Sequence, residues 1–459
     1  MMLKRVVLVV FILVVSSSAS LGISSMDHLG GNTIYVDDVP GEGPDNPAEN
    51  FTSIQDAIDA ASDGDTVFVY NGTYYENVEV DKAVFLVGEE RTGVIVNGSG
   101  SGDVMHVVAD DVSVTNFTLV GCGSYFHSTY NCDAGVDVRS KNVTISNTLF
   151  FDDKVSVFLW ETWDIVVVNN SLHGGLYGVI VRGTDNTRII GNSIGCYERH
   201  GIFVDSSFYI KICNNSISDN DQHGISIIYS SRIDIINNVI CDNFDCGVYM
   251  SGSGRLNLSS NYVSSNSYGL LLWSVGNSLV AGNNCTGNFG SGVYMYGGVQ
   301  NLIKENMILD NGWMNIGWYG LWVECSDVND IIGNIIQHNF GGIKFYDTII
   351  VDICYNKILN NGECGIYMEH DSRSNDILNN DIAGNGGYAV FLKESSRNTI
   401  SYNNFFNNKD RAYFEDCENM WRRNFWNRPR ILPYPVFGSH NSTLDVEFDW
   451  FPSIFPNII

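Results

Sequence analysis

The sequence predicts an all-β chain wound into one long, single-stranded parallel β-helix, and three observations predict it. An asparagine returns about every 23 residues, from Asn147, Asn170, Asn192 and Asn215 through to Asn403 and Asn424. A glycine series runs in step with it, from Gly178, Gly201 and Gly224 to Gly365, each glycine opening an alternating apolar run such as Gly-Ile-Phe-Val. No helical periodicity accompanies either series over the repeats. A fixed period of 20 to 50 residues marks a stacked repeat architecture, and strand alternation at this period points to coils of three short strands. The usual rule for parallel crossovers makes the winding right-handed.

Each coil should pair with its neighbours at about 4.8 Å and point alternate side chains inward. The recurring asparagine suits a tight bend because it tolerates left-handed backbone angles. Stacked asparagines can also pass amide hydrogen bonds from coil to coil. This ladder is structural, and its asparagines are not candidates for catalysis.

Repeat lengths locate the variable corner. The count from glycine to asparagine is 14 residues again and again, as in Gly178 to Asn192 or Gly320 to Asn334. From asparagine to the next glycine it is usually 8 or 9, but Asn306 to Gly320 takes 14 and Asn116 to Gly135 takes 19. Insertions therefore gather just before the glycine-led strand, and variable loops on a fixed scaffold are where binding and chemistry usually reside.

The ends differ from the middle. Lys4 and Arg5 precede ten apolar residues, Val6 to Val15, and then a small-residue stretch, which is a signal-peptide layout over 1–25. Ten Asn-x-Ser/Thr sequons, among them Asn71, Asn97 and Asn441, fit an exported glycoprotein. No later segment reads as a membrane span, so no stable membrane insertion is expected after signal cleavage. Residues 26–110 form an N-terminal cap and first coils, 111–425 the repeats and 426–459 a C-terminal cap. Ser53 to Ala61 reads as a short amphipathic helix capped by Ser53, suited to covering the open strand edges of the first coil.

A formal net charge of −27, from 52 acidic and 25 basic residues, argues against nucleic acid or anionic membrane as partners. Among 11 cysteines, the repeat phase places Cys213, Cys285 and Cys354 where neighbouring coils carry isoleucine, as buried thiols. Cys122 with Cys132 and Cys241 with Cys246 are candidate local disulfides, which spacing alone does not establish.

IYVDD (Ile34 to Asp38), SIQDAIDAA (Ser53 to Ala61), SDGDTVFVYNGTYYEN (Ser62 to Asn77) and LVGE (Leu86 to Glu89) closely resemble the N-terminus of archaeal surface proteins with NosD-like parallel β-helix repeats. That group's domain is named for carbohydrate-binding proteins and sugar hydrolases. NFWNRPRILPYPVFG (Asn424 to Gly438) is similar to their closing segment. The resemblance implies a pectate-lyase-like solenoid at the cell surface. For function it implies a range: polysaccharide lyases and hydrolases, epimerases, envelope proteins without known activity, and an accessory protein for copper insertion.

In the sugar-active proteins of this group the substrate lies along the glycine-led strand. Two residues beyond each glycine, an outward column reads Phe203, Ser226, Tyr249, Leu271, Tyr294, Trp322, Lys344, Tyr367 and Phe391. Phe203, Tyr249, Tyr294, Trp322, Tyr367 and Phe391 are rings at one-coil spacing, suited to stacking on the apolar faces of a polysaccharide or cell-envelope glycan. A self-packed aromatic ladder is the plainer alternative.

Three chemical sites remain open as alternatives. Asp133, Asp152, Asp153 and His173 are similar to the acid and His-Gly series of polygalacturonase-like hydrolases, although their phases disagree and the basic pair of that family is missing. His200, His223 and Cys246 share one phase, one place before consecutive glycines, and offer imidazole and thiolate to copper or zinc. Asp205, Glu324, Glu369 and Arg182 share another phase and would be the calcium carboxylates and base of a lyase, but they spread over many coils. Stacking on a glycan needs no cofactor. Carbohydrate binding is the leading expectation, with a hydrolase or lyase, a copper-binding accessory protein and a structural envelope component as alternatives.

Overall fold

Alternation along each three-residue strand decides which side chains enter the coil. Ile212, Ile225 and Val248 are fully buried, while neighbours such as Lys211 and Ser216 face outward. The computed structural model describes residues 31–39, 51–312 and 317–459; the expected signal segment lies outside the described residues. These form a right-handed parallel β-solenoid of about 16 turns.

Three sheets run the length of the solenoid. The first has 17 strands from Thr33–Val36 to Met420–Arg422, and the second 16 from Gly72–Tyr74 to Phe425–Trp426. The third is led by the glycine series. It runs from Val78–Val80 to Tyr434–His440, with Thr443–Asp449 added antiparallel. Stacked Val, Ile and Leu rows from all three sheets fill the interior as one continuous core.

The asparagine ladder is real, and its cause differs from the expected one. Asn215 Nδ2 donates to Asn238 Oδ1 at 3.0 Å and to the Ile189 carbonyl at 2.9 Å, while Asn238 Oδ1 also accepts from the Asn215 backbone N–H at 3.0 Å. The left-handed angle belongs to the residue before: Asn214 and Asn237 have φ of 57°, and Ser260 and Glu305 fill that place in other coils. The ladder position thus selects asparagine for its amide, not for its backbone freedom. Asn147 consequently drops out of the ladder. It is the left-handed residue of its coil, with φ of 47°, and Thr148 occupies the ladder position and donates its N–H to Asn170 Oδ1.

Two more buried ladders run parallel to the first. One passes from Asn220 through Asn243 and Asn266 to Asn385 and Asn408. The other links Ser278 to Asn301 and Asn329 and, past Val351, Asn375 to Asn398, while Ser207, Ser230 and Ser253, three residues earlier in the coil, form a separate run of hydroxyls that accept backbone N–H groups. The Asn220 ladder explains the glycine series: a Cβ on Gly224 would lie 2.9 Å from Asn243 Nδ2 and 2.7 Å from Ile240 Cγ2. Glycine is there because the strand passes too close to the ladder for any side chain.

The helix, Ile54–Ala60, forms as expected, with Ser53 Oγ accepting from the Asp56 N–H at 3.3 Å. Ile54, Ala57 and Ile58 seal the first coil. Gln55 then imitates a neighbouring strand: its Oε1 accepts from the Glu79 N–H at 2.7 Å and its Nε2 donates to the Glu79 carbonyl at 3.2 Å. That pairing occupies part of the edge of the third sheet, where an open ladder would otherwise invite another strand.

All 11 cysteines are free, so neither candidate disulfide is formed. Cys122 Sγ instead accepts from the Lys154 N–H at 2.9 Å. Cys285 is buried on an inward place as expected, whereas Cys213 and Cys354 share an outward place, where Cys213 is still covered and Cys354 is half-buried.

Candidate functional site

The outer surface of the third sheet carries three side-chain columns, one, two and four places from the glycine series. Strand register aligns the central column without a slip: Ser226 pairs with Tyr249, Tyr249 with Leu271, Leu271 with Tyr294, Tyr294 with Trp322, Trp322 with Lys344, Lys344 with Tyr367 and Tyr367 with Phe391.

The long insertion divides this surface in two. Residues Phe126–Ser128 and Asn131–Cys132 form an antiparallel hairpin that folds back over the sheet. Phe126 stacks on Tyr177 at 5.7 Å, Tyr130 meets the edge of Trp160 at 5.4 Å, and the Arg182 guanidinium lies over Tyr130 at 3.1 Å. A second small core results, formed by Cys132, Phe158, Tyr177, Ile180 and Phe203. Phe203 is therefore only 8% exposed and offers no ring to a ligand, contrary to expectation. The sequence places it in phase with the column, but the covering hairpin comes from about 75 residues earlier, and a repeat pattern carries no such contact.

From Tyr249 onward no hairpin covers the column among the described residues. Tyr249, Tyr294, Trp322, Tyr367 and Phe391 are all half-buried; Tyr294 meets Trp322 at 5.3 Å and Tyr367 meets Phe391 at 5.2 Å, whereas Leu271 separates Tyr249 from Tyr294. Lys344 bridges the gap between the two pairs, its ammonium 4.5 Å from the Trp322 ring and 2.9 Å from Glu369. Phenols anchor sideways to the outermost column. Tyr294 donates to Glu324 at 2.8 Å and Tyr367 to Glu369 at 2.7 Å. Burial raises both phenols above the usual range, and the carboxylates they face add to the shift. Burial opposes ionisation of Glu369, yet the bonds from Tyr367 and Lys344 hold it below the ordinary value.

Sequence reasoning missed the third column. Tyr268 and Tyr319 occupy the place just before the glycine, and Trp318 comes from the second insertion. Trp318 lies 5.1 Å from Tyr268 and 5.2 Å from Trp322, and Tyr319 stacks on Tyr367 at 6.3 Å. The signal was present: Tyr177, Tyr268, Tyr319 and Tyr388 share one phase with the two histidines.

The hydrolase candidates do not gather on one surface. Asp153 points into the coil, fully buried, with Oδ1 accepting from the Cys122 N–H at 3.0 Å and Oδ2 without a partner. Burial pushes its carboxyl up to about 7. Asp152 is exposed at the corner outside, and His173 is exposed on the second sheet, lining a shallow depression with Phe151, Cys196 and Asp219. Asp133 is spent in the hairpin, accepting from the Tyr125 N–H at 2.8 Å. The lyase candidates part as well: Arg182 pairs with Asp205 at 2.8 Å beneath the hairpin, away from Glu324 and Glu369.

His200 and His223 stack face to face at 4.9 Å with 4° between their planes, and His223 stacks on Tyr249 at 4.7 Å. Each Nδ1 accepts a backbone N–H of the next coil, His200 from His223 and His223 from Cys246, both at 3.3 Å. The rings are therefore neutral Nε2–H tautomers with parallel lone pairs, which do not converge on one ion. Burial depresses both, His200 to about 3. Donor atoms of His223, Asp245 and Cys246 do lie within 4.8 Å of one another, with His200 outside the group. Burial first, and then the Asp245 carboxylate, raises the Cys246 thiol well above its usual range, so a metal there must displace a firmly held proton.

Among the described residues no helix is long and apolar enough to cross a membrane. The sequence matches the family model described as "Right handed beta helix region" over residues 66–263 and 200–348. A second model, "Periplasmic copper-binding protein (NosD)", matches residues 313–438. No curated protein sequence matches. Similar solved structures include the mannuronan C-5 epimerase AlgE6 A-module of Azotobacter vinelandii, at 18% identity and TM-score 0.45, covering 80% of this chain and 92% of that one. The Dettilon tailspike protein is similar at 15% identity and TM-score 0.46, covering 77% and 66%. DFA-IIIase from Arthrobacter chlorophenolicus is similar at 13% identity and TM-score 0.41, covering 72% and 95%.

Proposed function

The chain belongs to the right handed beta helix family, and on that premise we propose that it binds polysaccharide on the uncovered half of its glycine-led sheet. The observation that carries this reading is the aromatic column from Tyr249 to Phe391, flanked by carboxylates that already accept from its own phenols. Rings fixed by their neighbours lose little freedom when a sugar docks on them. Carboxylate oxygens holding one phenol keep lone pairs for sugar hydroxyls. A structural ladder alone requires neither the sideways phenol bonds nor the extra ring that Trp318 supplies from a loop. The reading takes the protein to be exported and to meet its glycan at the cell surface or in the envelope. Stacking needs no cofactor, and the dispersal of Asp133, Asp152, Asp153 and His173 supports a binder over a hydrolase.

A glycan-array screen identifies the ligand, and replacing Tyr249, Tyr294 and Trp322 together with alanine tests the site. Each stacking contact contributes about 1 kcal/mol, so the triple variant should bind about a hundredfold more weakly. Unchanged affinity in a folded triple variant excludes the platform.

A second reading, metal binding, rests on the grouping of His223, Asp245 and Cys246. The copper-binding family match begins at residue 313, beyond all three. The occupied Nδ1 atoms and the protonated thiol count against a resident ion.

A further inference from the structure

We infer that the polysaccharide this face takes is uncharged, built from neutral sugars and not from uronates, sulfated sugars or amino sugars. The inference rests on the platform reading and deepens it through the placement of charge. Between Tyr249 and Phe391 the central column holds one cation, Lys344, and that charge is already engaged by Glu369 at 2.9 Å and covered by the Trp322 face. A polymer carrying a carboxylate on every sugar meets no free cation along the central column. On its flank it meets Glu324 and Glu369, with Lys393, in register with Glu415 beside the end of the column, the one cation there among the described residues. Desolvating such a carboxylate against an apolar ring without a partner is costly.

The long-range field points the same way. A chain of net charge −27 repels polyanions before contact, and at physiological salt the repulsion reaches about 8 Å. A polyamine would be drawn to that field anywhere on the surface. On the platform Glu369 is already neutralised by Lys344 and bonded to Tyr367, which leaves Glu324, held by the Tyr294 phenol, and not a row of carboxylates, to meet an amine on every sugar. What the face does offer is suited to neutral sugars: ring faces for C–H surfaces, and acceptor oxygens on Glu324 and Glu369 for hydroxyl donors.

The test is affinity electrophoresis of the full chain through gels containing dextran, mixed-linkage β-glucan or mannan as neutral polymers, alginate or polygalacturonate as anionic ones, and soluble chitosan as the amine, at low salt and at 0.5 M salt, where the Debye length falls to about 4 Å. The expected result is retardation by at least one neutral polymer, unchanged between the two salts and lost in Tyr294→Ala/Trp322→Ala. Retardation by a uronate or amine polymer that survives high salt and is lost in that variant, with none by the neutral polymers, overturns the inference and leaves the platform standing. Retardation by no polymer, or retardation indifferent to the variant, overturns both. The wild-type comparison needs no variant to fold.

Discussion

Asp449 closes the asparagine ladder that Asn424 ends: its Oδ2 accepts from the Asn424 backbone N–H at 2.9 Å and from Asn424 Nδ2 at 3.2 Å. The same carboxylate, fully buried, also accepts from the Arg423 N–H and from Trp426 Nε1. A ladder of amides ends on an unpaired donor face, and a carboxylate, which only accepts, is the side chain that satisfies it. The antiparallel strand Thr443–Asp449 brings it there, as Gln55 covers strand Val78–Val80 at the opposite end.

Asp449→Ala should therefore loosen the last coils. Five N–H groups, that of Phe451 among them, lose a charged acceptor, at a cost of about 3 kcal/mol or more. Hydrogen exchange should accelerate at Asn403 and Asn424 and leave Asn215 and Asn238 unchanged, since solenoid coils couple only to their neighbours. Equal acceleration along the whole chain, or none, contradicts the capping role.

The corrected register of the ladder predicts opposite outcomes for two asparagines. Asn238→Ala leaves the Asn215 backbone N–H unpaired inside the coil and takes one of the two acceptors from its amide, and should cost about 3 kcal/mol. Asn147→Ala, at an exposed left-handed corner, should cost about 1 kcal/mol through its backbone angle, its hydrogen bonds to Asn116 and from Arg91 being exposed and replaceable by water. Urea midpoints of the two variants check this, and a larger loss for Asn147→Ala refutes the assignment.

Asp153 predicts a pH dependence. Its carboxyl titrates near 7 when folded and near 3.8 when unfolded, so the folded chain holds a proton that the unfolded chain releases. Stability from this group is complete below about pH 4 and is lost as pH rises toward 7, by about 4 kcal/mol at most. Asp153→Asn keeps the acceptor for Cys122 and removes the titration, so its stability advantage over wild type should grow between pH 5 and pH 8. An advantage that is absent or shrinks over that range contradicts the buried, unpaired carboxyl.

At the His223, Asp245 and Cys246 cluster we expect no stoichiometric copper after dialysis against a weak chelator, because the imidazole Nδ1 is engaged and the thiol is protonated. One retained ion per chain, lost in His223→Ala/Cys246→Ala and held more tightly as pH rises, contradicts this.

The fold was legible because its period, its alternation and its paired asparagine and glycine series all repeat, and repetition survives in one dimension. The face was legible for the same reason: Tyr249, Tyr294 and Trp322 lie in one register. Contacts made by insertions were not. Nothing local to Phe203 announces that Phe126 and Tyr177 cover it, and nothing in the spacing of Asp152 and Asp153 shows that one faces solvent and the other the core. The ladder asparagine was found while its cause was misassigned, because the left-handed corner sits one residue earlier and varies among Asn, Ser, Gly, Glu, Tyr and Arg.

The most direct test of the account is the position of a bound glycan. A crystal structure with the best-retained oligosaccharide should place a sugar ring within about 4 Å of the faces of Tyr294 or Trp322, its chain running along the solenoid axis. A glycan seated instead in the depression beside His173 and Cys196, or across the first sheet, would contradict it.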